Sequence, residues 1–195
     1  MTELSVPNES DLSIDLKDPA LAAFLAWLLP GLGHFYQGRI AKGLLFSICI
    51  LSTFFYGVYL GGSEELGWGR VVYASWRPGD KRLPYLCQVA VGLPALPALV
   101  QASRVRNGRE PAWNGLMAPP RLDGIALPGQ PTLDMLHKRL HRFFELGTVF
   151  TMVAGLLNVL AIYDAWGGPV FAEEGKKDEK DEQEGDAEEP PAGGA

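Results

Sequence analysis

Apolar residues dominate four windows of the chain, at residues 19–38, 43–63, 83–103 and 146–163. Each window has 18–21 residues and contains no Asp, Glu, Lys or Arg, although 21% of the chain is charged. A helix needs about 20 apolar residues to cross the ~30 Å hydrocarbon core of a bilayer. The pattern therefore predicts an all-α membrane protein with about four transmembrane helices.

The first two windows predict a tight transmembrane hairpin within residues 19–63, with helices at 19–38 and 43–63. Asp18 and Pro19 suit a helix start, because Asp caps free N–H groups and proline fits the first helical position. Too few residues lie between the two windows for anything but a turn. The two helices are therefore expected to be antiparallel neighbours.

Changes in polarity predict the remaining boundaries. The segments are an acidic N-terminal tail (1–18), a polar interfacial loop (64–82), a third transmembrane segment (83–103), a basic Pro-rich loop (104–131), an amphipathic interfacial helix (132–145), a fourth transmembrane helix (146–166) and a disordered acidic tail (170–195). Prolines make the third segment irregular, and the pattern leaves open whether it spans completely. The last segment lacks the large apolar residues that would offset the entropy of ordering.

Composition and charge narrow the class of protein further. The mean hydropathy of +0.04 averages the apolar windows with strongly polar connections, so it conceals the membrane pattern. A net charge of −6 offers no basic footprint, which excludes nucleic acid as an expected partner. The two cysteines, Cys49 and Cys87, both lie in apolar windows and do not form a disulfide framework.

The distribution of Lys and Arg predicts an orientation. Four spans would place both termini on one side, with more basic residues in the first and third loops than in the N-terminal tail and second loop. The positive-inside rule then favours acidic tails outside and basic loops in the cytoplasm. We expect a multi-pass protein of a bacterial inner membrane.

The stretch PGLGHFYQGRIAKG at residues 30–43 is the most informative motif. Small residues allow close backbone approach, aromatic residues suit the interface, and basic residues reach water. The candidate structural or interaction residues are Gly31, Gly33, His34, Phe35, Tyr36, Gly38, Arg39, Lys42 and Gly43.

The pattern GxGHFYxGxxxxG resembles the signature of the two-transmembrane domain family over about residues 19–60. The sequence departs from that signature, since it has no Asp-Arg-Phe-type turn triplet and no Trp-Asp pair after the second helix. Together with AGLLNVLAIYDAWGGP near its end, the whole chain is more similar to a family of uncharacterised bacterial multi-pass membrane proteins. Neither resemblance implies a reaction.

Asn158 and Asp164 are candidate intramembrane polar residues, since polar groups within a span suggest function. The alternatives are that Asn158 hydrogen-bonds between helices and that Asp164 reaches water. Four spans would place His34 and Asp164 at opposite ends of the bundle, so we expect no pairing between them. His137 and His141 have a spacing that can bind zinc, but no third ligand is evident, and we predict no metal site.

The leading interpretation is a non-enzymatic membrane interaction or assembly protein. A small transporter or channel subunit is the alternative, and a membrane-embedded enzyme using His34 or Asp164 is a third possibility. We predict no catalytic residues and no cofactor. The expected partners are the lipid bilayer and either a membrane protein or further copies of the chain.

Overall fold

The computed structural model describes residues 18–127 and 130–187, and side chains as far as Gly167. The elements are α1 (Pro19–Leu28), α2 (Leu32–Tyr36), α3 (Ile40–Leu60), β1 (Trp76–Arg77), β2 (Asp80–Lys81), α4 (Pro84–Gln88), α5 (Pro97–Arg106), α6 (Leu133–Leu140) and α7 (Arg142–Ala187), with 3-10 turns at Val89–Val91, Leu93–Ala95 and Trp113–Gly115. The mainly helical prediction is confirmed, with β1 and β2 as a small antiparallel hairpin. Apart from Asp18, the predicted acidic tail at 1–18 lies outside the described residues.

Two helices of the described chain are long and apolar enough to cross a membrane. They are α3, with 21 residues, and the first 26 residues of α7, and they contain most of the predicted second and fourth spans. The two helices are antiparallel, since Gly57 near the end of α3 meets Gly147 near the start of α7, while Lys42 near the start of α3 meets Asp164. The glycines let the two backbones approach closely. The prediction of four spanning helices is not confirmed.

The predicted first helix, 19–38, is broken in the middle. Asp18 caps α1 as predicted, with its carboxylate accepting a hydrogen bond from the N–H of Ala20. Leu29 then turns to an extended conformation, since the following Pro30 disfavours a helical one, and Gly31 has a φ of +85°. The chain therefore reverses, and α2 returns along α1. The tight hairpin forms between α1 and α2, while α1 and α3 both lie against α7.

The predicted third span, 83–103, is also broken. From α4 the chain runs beside α7 towards its carboxyl end, with the Cys87 carbonyl against Gly155 and the Ala90 carbonyl accepting from Asn158. At Gly92, with a φ of +83°, the segment touches the backbone carbonyl of Trp27 at the end of α1.

The segment then turns back towards the side from which it came. Gln101 in α5 hydrogen-bonds Ala112 and Leu116, and the neighbouring Met117 donates its N–H to the carbonyl of Trp68. Trp68 stacks on Tyr59 at the carboxyl end of α3. Residues 83–106 therefore form a folded-back segment that begins and ends at the same end of the bundle.

The connections at this end form a folded layer, which we call the cap (residues 61–83 and 107–141). Its buried apolar side chains are Leu66, Val71, Val72, Tyr73, Ala74, Met117, Ala118, Leu136 and Leu140. Arg82 fastens the cap to α7, because its guanidinium donates to Thr148 Oγ1 at 2.8 Å and lies over the ring of Phe144.

The predicted amphipathic helix, 132–145, is divided between two elements. The hydroxyl of Thr132 accepts a hydrogen bond from the N–H of Met135 at 3.2 Å, as expected for its N-cap position. His141, with a φ of 47°, ends α6, so His137 and His141 do not lie on one continuous helix as their spacing suggested. Leu136 and Leu140 face the core of the cap.

The last element runs into the segment for which we predict disorder. Helix α7 extends to Ala187 and so includes part of the acidic stretch at 170–195. Side chains beyond Gly167 and residues 188–195 lie outside the described part, and disorder of the tail stays a prediction.

We predict that Gly155→Ala destabilises the protein, although alanine is the better helix former. A methyl group at this helical position would overlap the carbonyl oxygen of Cys87, and overpacking of this kind costs about 1–3 kcal/mol. Thermal unfolding in detergent measures the effect. The control is Leu160→Ala on the same helix, where the side chain is 64% exposed and the unfolding midpoint should stay close to that of the wild type.

Candidate functional site

Asp164 is the centre of a charged cluster formed by three residues of the PGLGHFYQGRIAKG motif. Its carboxylate accepts two hydrogen bonds from Lys42 Nζ, each at 2.9 Å. Arg39 Nη2 and His34 Nε2 each lie 3.6 Å from Asp164 Oδ2. The prediction that His34 and Asp164 lie at opposite ends of the bundle is therefore wrong.

The broken first helix explains this meeting. A continuous helix would carry His34 away from the carboxyl end of α7, whereas the reversal at Gly31 brings α2 back to the level of Asp164. The His34 side chain is fully buried, and its ring stacks on Phe46 of α3 with 4.9 Å between centroids. His34 thus connects α2, α3 and α7.

The glycines of the motif permit this close packing. Side chains at Gly31 and Gly33 would overlap the backbone of Gly43 and Ala22, respectively. Gly43 itself lies under the ring of Phe35. By contrast, Gly38 has open space around it and a φ of +80°, so it serves the turn before α3.

Two further polar side chains hold α2 and the preceding turn in place. Gln37 donates its amide to the carbonyl of Ala165 at 2.6 Å, and Ser47 donates its hydroxyl to the carbonyl of Pro30 at 2.7 Å. The ring of Tyr36 packs against a small buried cluster of alanines from α1 and α7. All nine motif residues therefore lie in or beside the junction of α1, α2, α3 and α7.

Asn158 lies deeper in the bundle, where the two folded-back segments meet. Its side-chain amide donates to the carbonyl of Ala26 in α1 at 3.2 Å and to that of Ala90 at 2.8 Å. Asn158 is fully buried, and within the described residues its Oδ1 has no hydrogen-bond partner. The structure brings Asn158 near the junction but does not join it to the Asp164 cluster.

Two buried glutamines were not among the residues predicted from the sequence. Gln88 donates to Thr151 Oγ1 at 2.8 Å and to the Val71 carbonyl at 3.1 Å, which joins the third segment to α7 and the cap. Gln101 organises the loop after α5. Their position as uncharged polar residues in an apolar window was the available signal, since such residues are expensive in a membrane unless they are paired.

A strained turn of the cap presents an aromatic side chain. Trp113, Asn114 and Met117 have φ values of 49°, 51° and 55°, in the left-handed region that non-glycine residues avoid at a cost of about 1–2 kcal/mol each. Gln101 holds this turn through hydrogen bonds to Ala112 and Leu116. The turn leaves the Trp113 side chain 59% exposed.

Tyr73, Asp80 and Arg82 are charged or polar groups of the cap that interact with one another. Burial lowers the pKa of Arg82, and the neighbouring Tyr73 and Asp80 act in the opposite direction. Burial also raises the pKa of Tyr73, whose hydroxyl donates to Asp80 Oδ1 at 3.2 Å. Their contacts help to fasten the cap.

We predict a stronger energetic coupling in the Asp164 cluster than in an ordinary surface pair. A double-mutant cycle of Asp164→Asn and Lys42→Gln should give about 1 kcal/mol or more, because the carboxylate faces three basic groups and is only one-third exposed. The cycle Asp134→Asn with Lys138→Gln is the control, since that pair is more than 70% exposed and should give about 0.3–0.5 kcal/mol. Equal coupling energies in the two unfolding series would contradict the prediction.

Comparison with protein families gives a match over most of the chain. The model of a family of unknown function, DUF6677, matches residues 21–178, which include the motif, the Asp164 cluster, the cap and all of the long helix up to that point. No curated protein matches the chain, and no solved structure does. The match confirms the predicted membership of an uncharacterised family, whereas the resemblance of the hairpin motif to the two-transmembrane domain family is not shown. The chain belongs to the DUF6677 family of unknown function.

Proposed function

We propose that this chain is a multi-pass membrane protein in which α3 and α7 cross the bilayer. A soluble protein would bury helices of this kind, but only 22% of the most apolar window of α3 and 33% of that of α7 are buried within the chain. Their outward side chains are large and apolar, with Leu45 at 59%, Ile48 at 59% and Leu160 at 64% exposure. Such faces require lipid around them.

The two folded-back segments are proposed to enter the membrane from opposite sides and to meet inside it. Helix α1 has ten residues, or about 15 Å, and this is half of the hydrocarbon thickness. Non-helical backbone at this depth is tolerated only where protein covers it. Gly92 lies directly against the end of α1, and the side-chain amide of Asn158 donates a hydrogen bond to one backbone carbonyl of each segment.

This arrangement gives a clear charge asymmetry. Between residues 18 and 167 there are thirteen Lys and Arg residues, and only Arg39 and Lys42 lie at the end of the bundle opposite the cap. The positive-inside rule therefore supports a cytoplasmic cap and an external Asp164 cluster in an inner membrane. The four-span prediction places the turn before α3 in the cytoplasm and the loop at 64–82 outside, and the two-span proposal reverses both positions.

We predict that Glu64→Cys and Asn107→Cys are labelled from the same side of the membrane and Asp18→Cys from the other. The measurement is reaction with a membrane-impermeant maleimide in cells and in inverted vesicles, with Cys49 and Cys87 replaced by alanine. The four-span model predicts a different labelling pattern, since it places residues 18 and 64 on one side of the membrane and residue 107 on the other. Labelling in that second pattern would overturn the two-span proposal.

We further propose that the protein acts by binding another protein, as a non-enzymatic interaction or assembly factor. The observation that carries this proposal is the strained turn of the cap, which leaves the Trp113 side chain 59% exposed. Backbone strain is retained where the surroundings over-determine it, often at functional sites, and tryptophan is enriched among residues that dominate binding energy. The proposed partner is a cytoplasmic protein or the cytoplasmic part of a membrane protein.

The charged cluster favours the same interpretation over catalysis. Asp164 is already engaged by Lys42 and Arg39, and His34 is fully buried and stacked on Phe46. A general acid or base must come within hydrogen-bond reach of a substrate. The arrangement suits a structural clamp between α2, α3 and α7.

Transport remains the second candidate, because two broken segments that meet inside a membrane are typical of many transporters. The specific observation is the buried Asn158 Oδ1 at this meeting point, which has no partner among the described residues. In this alternative the protein would function as a homo-oligomer or alone.

The test is chemical cross-linking in native membranes, followed by purification and mass measurement of the complex. We expect a stoichiometric second protein with the wild type and its loss with Trp113→Ala, whereas Trp76→Ala should keep it. Trp76 is the matched control, since its side chain is also 59% exposed but lies in the β-hairpin. Complexes containing only copies of this chain would contradict the assembly role and favour transport.

A further inference from the structure

An open cavity of about 810 Å³ lies between the cap and the carboxyl end of α5, and it shares no residue with the Asp164 cluster. We call it the arginine cavity, because four arginines from three chain segments are among the residues that line it: Arg77 from β1, Arg106 and Arg109 at the end of α5, and Arg121 from the loop before α6. Two acidic residues, Glu110 and Asp123, are also in the wall, so its formal net charge is +2.

The hydrogen bonds and ion pairs show which of these charges are already matched. Arg121 forms a two-pronged ion pair with Asp123. In the part of the chain that the structure describes, the side chains of Arg77, Arg106 and Arg109 make no hydrogen bond and no ion pair. Arg77, Arg106 and Arg109 therefore line one cavity without an ion pair, and Glu110 is the acidic residue of the wall left to offset their three charges.

Bringing like charges together without a counter-ion is unfavourable, and an anion in the cavity would relieve the repulsion. Guanidinium presents a planar fork of donors that matches phosphate oxygens, and such charge-assisted bonds are stronger than neutral ones. The volume lies within the usual range for small-ligand sites, about 300–1,000 Å³, and exceeds that of one inorganic phosphate. The charge and the size together fit a phosphate group with an organic substituent.

The rim of the cavity has a different chemistry. Leu122 and Leu127 line it and are 41% and 48% exposed, and Ile125 between them is 63% exposed. Apolar side chains beside a basic pocket are the arrangement that acidic phospholipids favour, since the headgroup contacts the cations and the acyl chains contact the apolar surface.

We propose that the arginine cavity binds a phosphate group, carried by an acidic phospholipid headgroup or present as free phosphate. This inference goes beyond the proposed assembly role, because it needs neither Trp113 nor a protein partner. Arg77, Arg106 and Arg109 bind the phosphate oxygens, and the Arg121–Asp123 pair holds the loop that closes one wall. The apolar rim makes the lipid headgroup the better-matched source.

The test uses the full chain in a neutral detergent, with short-chain phosphatidylglycerol, inorganic phosphate and short-chain phosphatidylcholine as separate probes in calorimetric titrations. The triple variant Arg77→Gln/Arg106→Gln/Arg109→Gln should weaken phosphatidylglycerol binding about tenfold or more. The matched control is Lys138→Gln/Arg139→Gln/Arg142→Gln, which removes the same charge outside the cavity and should change the affinity by less than about twofold.

The probes distinguish the two sources of phosphate. Cavity-dependent binding of phosphatidylglycerol that millimolar phosphate does not displace supports the lipid, whereas cavity-dependent binding of inorganic phosphate supports the free ion. Phosphatidylcholine should bind more weakly than phosphatidylglycerol, because its headgroup has no net charge. Equal effects of the two triple variants, or equal binding of the two lipids, would overturn the proposal.

Should the triple variant fail to fold, Arg109→Gln alone, at an exposed side chain, provides the same comparison with Arg139→Gln.

Discussion

The fold depends on satisfying backbone carbonyl groups where two chain segments end inside the bundle. Each reversal leaves carbonyls without a helical partner, and an unpaired buried carbonyl is costly. Asn158 donates to one carbonyl from each segment, at Ala26 and Ala90, and so fixes both of them to α7. The absence of side chains at Gly92 and Gly155 lets the backbones approach closely enough for these bonds to form.

The Asp164 cluster fastens the opposite end of the same arrangement. Once α2 has turned back along α1, His34, Gln37 and the basic residues of the following turn provide polar attachments to the long helices. A carboxylate at the carboxyl end of the apolar part of α7 provides a counter-charge for the basic residues of that turn. The cluster therefore connects α2 and the turn before α3 to the carboxyl end of the apolar part of α7.

The cap differs from an ordinary set of connecting loops, because its buried apolar side chains belong to the same core as those of the helices and because it contains a strained turn. Two side chains attach the cap to α7. Arg82 donates to Thr148, and Gln88 donates both to Thr151 and to the Val71 carbonyl of the cap. This support explains how an exposed Trp113 and a wall of arginines can keep a defined geometry. Binding surfaces need such support, since ordering flexible groups on binding costs free energy.

The sequence alone determined the two long helices, the capped starts at Asp18 and Thr132, the membership of an uncharacterised family and the polar residues on which the junction depends. The helices, their capped starts and the polar residues follow from local patterns, namely apolar runs of a given length, residues suited to helix ends and polar side chains in apolar surroundings. The family membership follows from the resemblance of the whole chain. The partners of those polar residues could not be predicted, because a window of 20 apolar residues is equally compatible with one straight helix and with two short helices that fold back. Only the tertiary structure decided between them, since the reversals at Gly31 and Gly92 are stable when α7 supplies hydrogen bonds and space for both segments. The same choice brought His34 to Asp164 and placed both large loops at one end of the bundle.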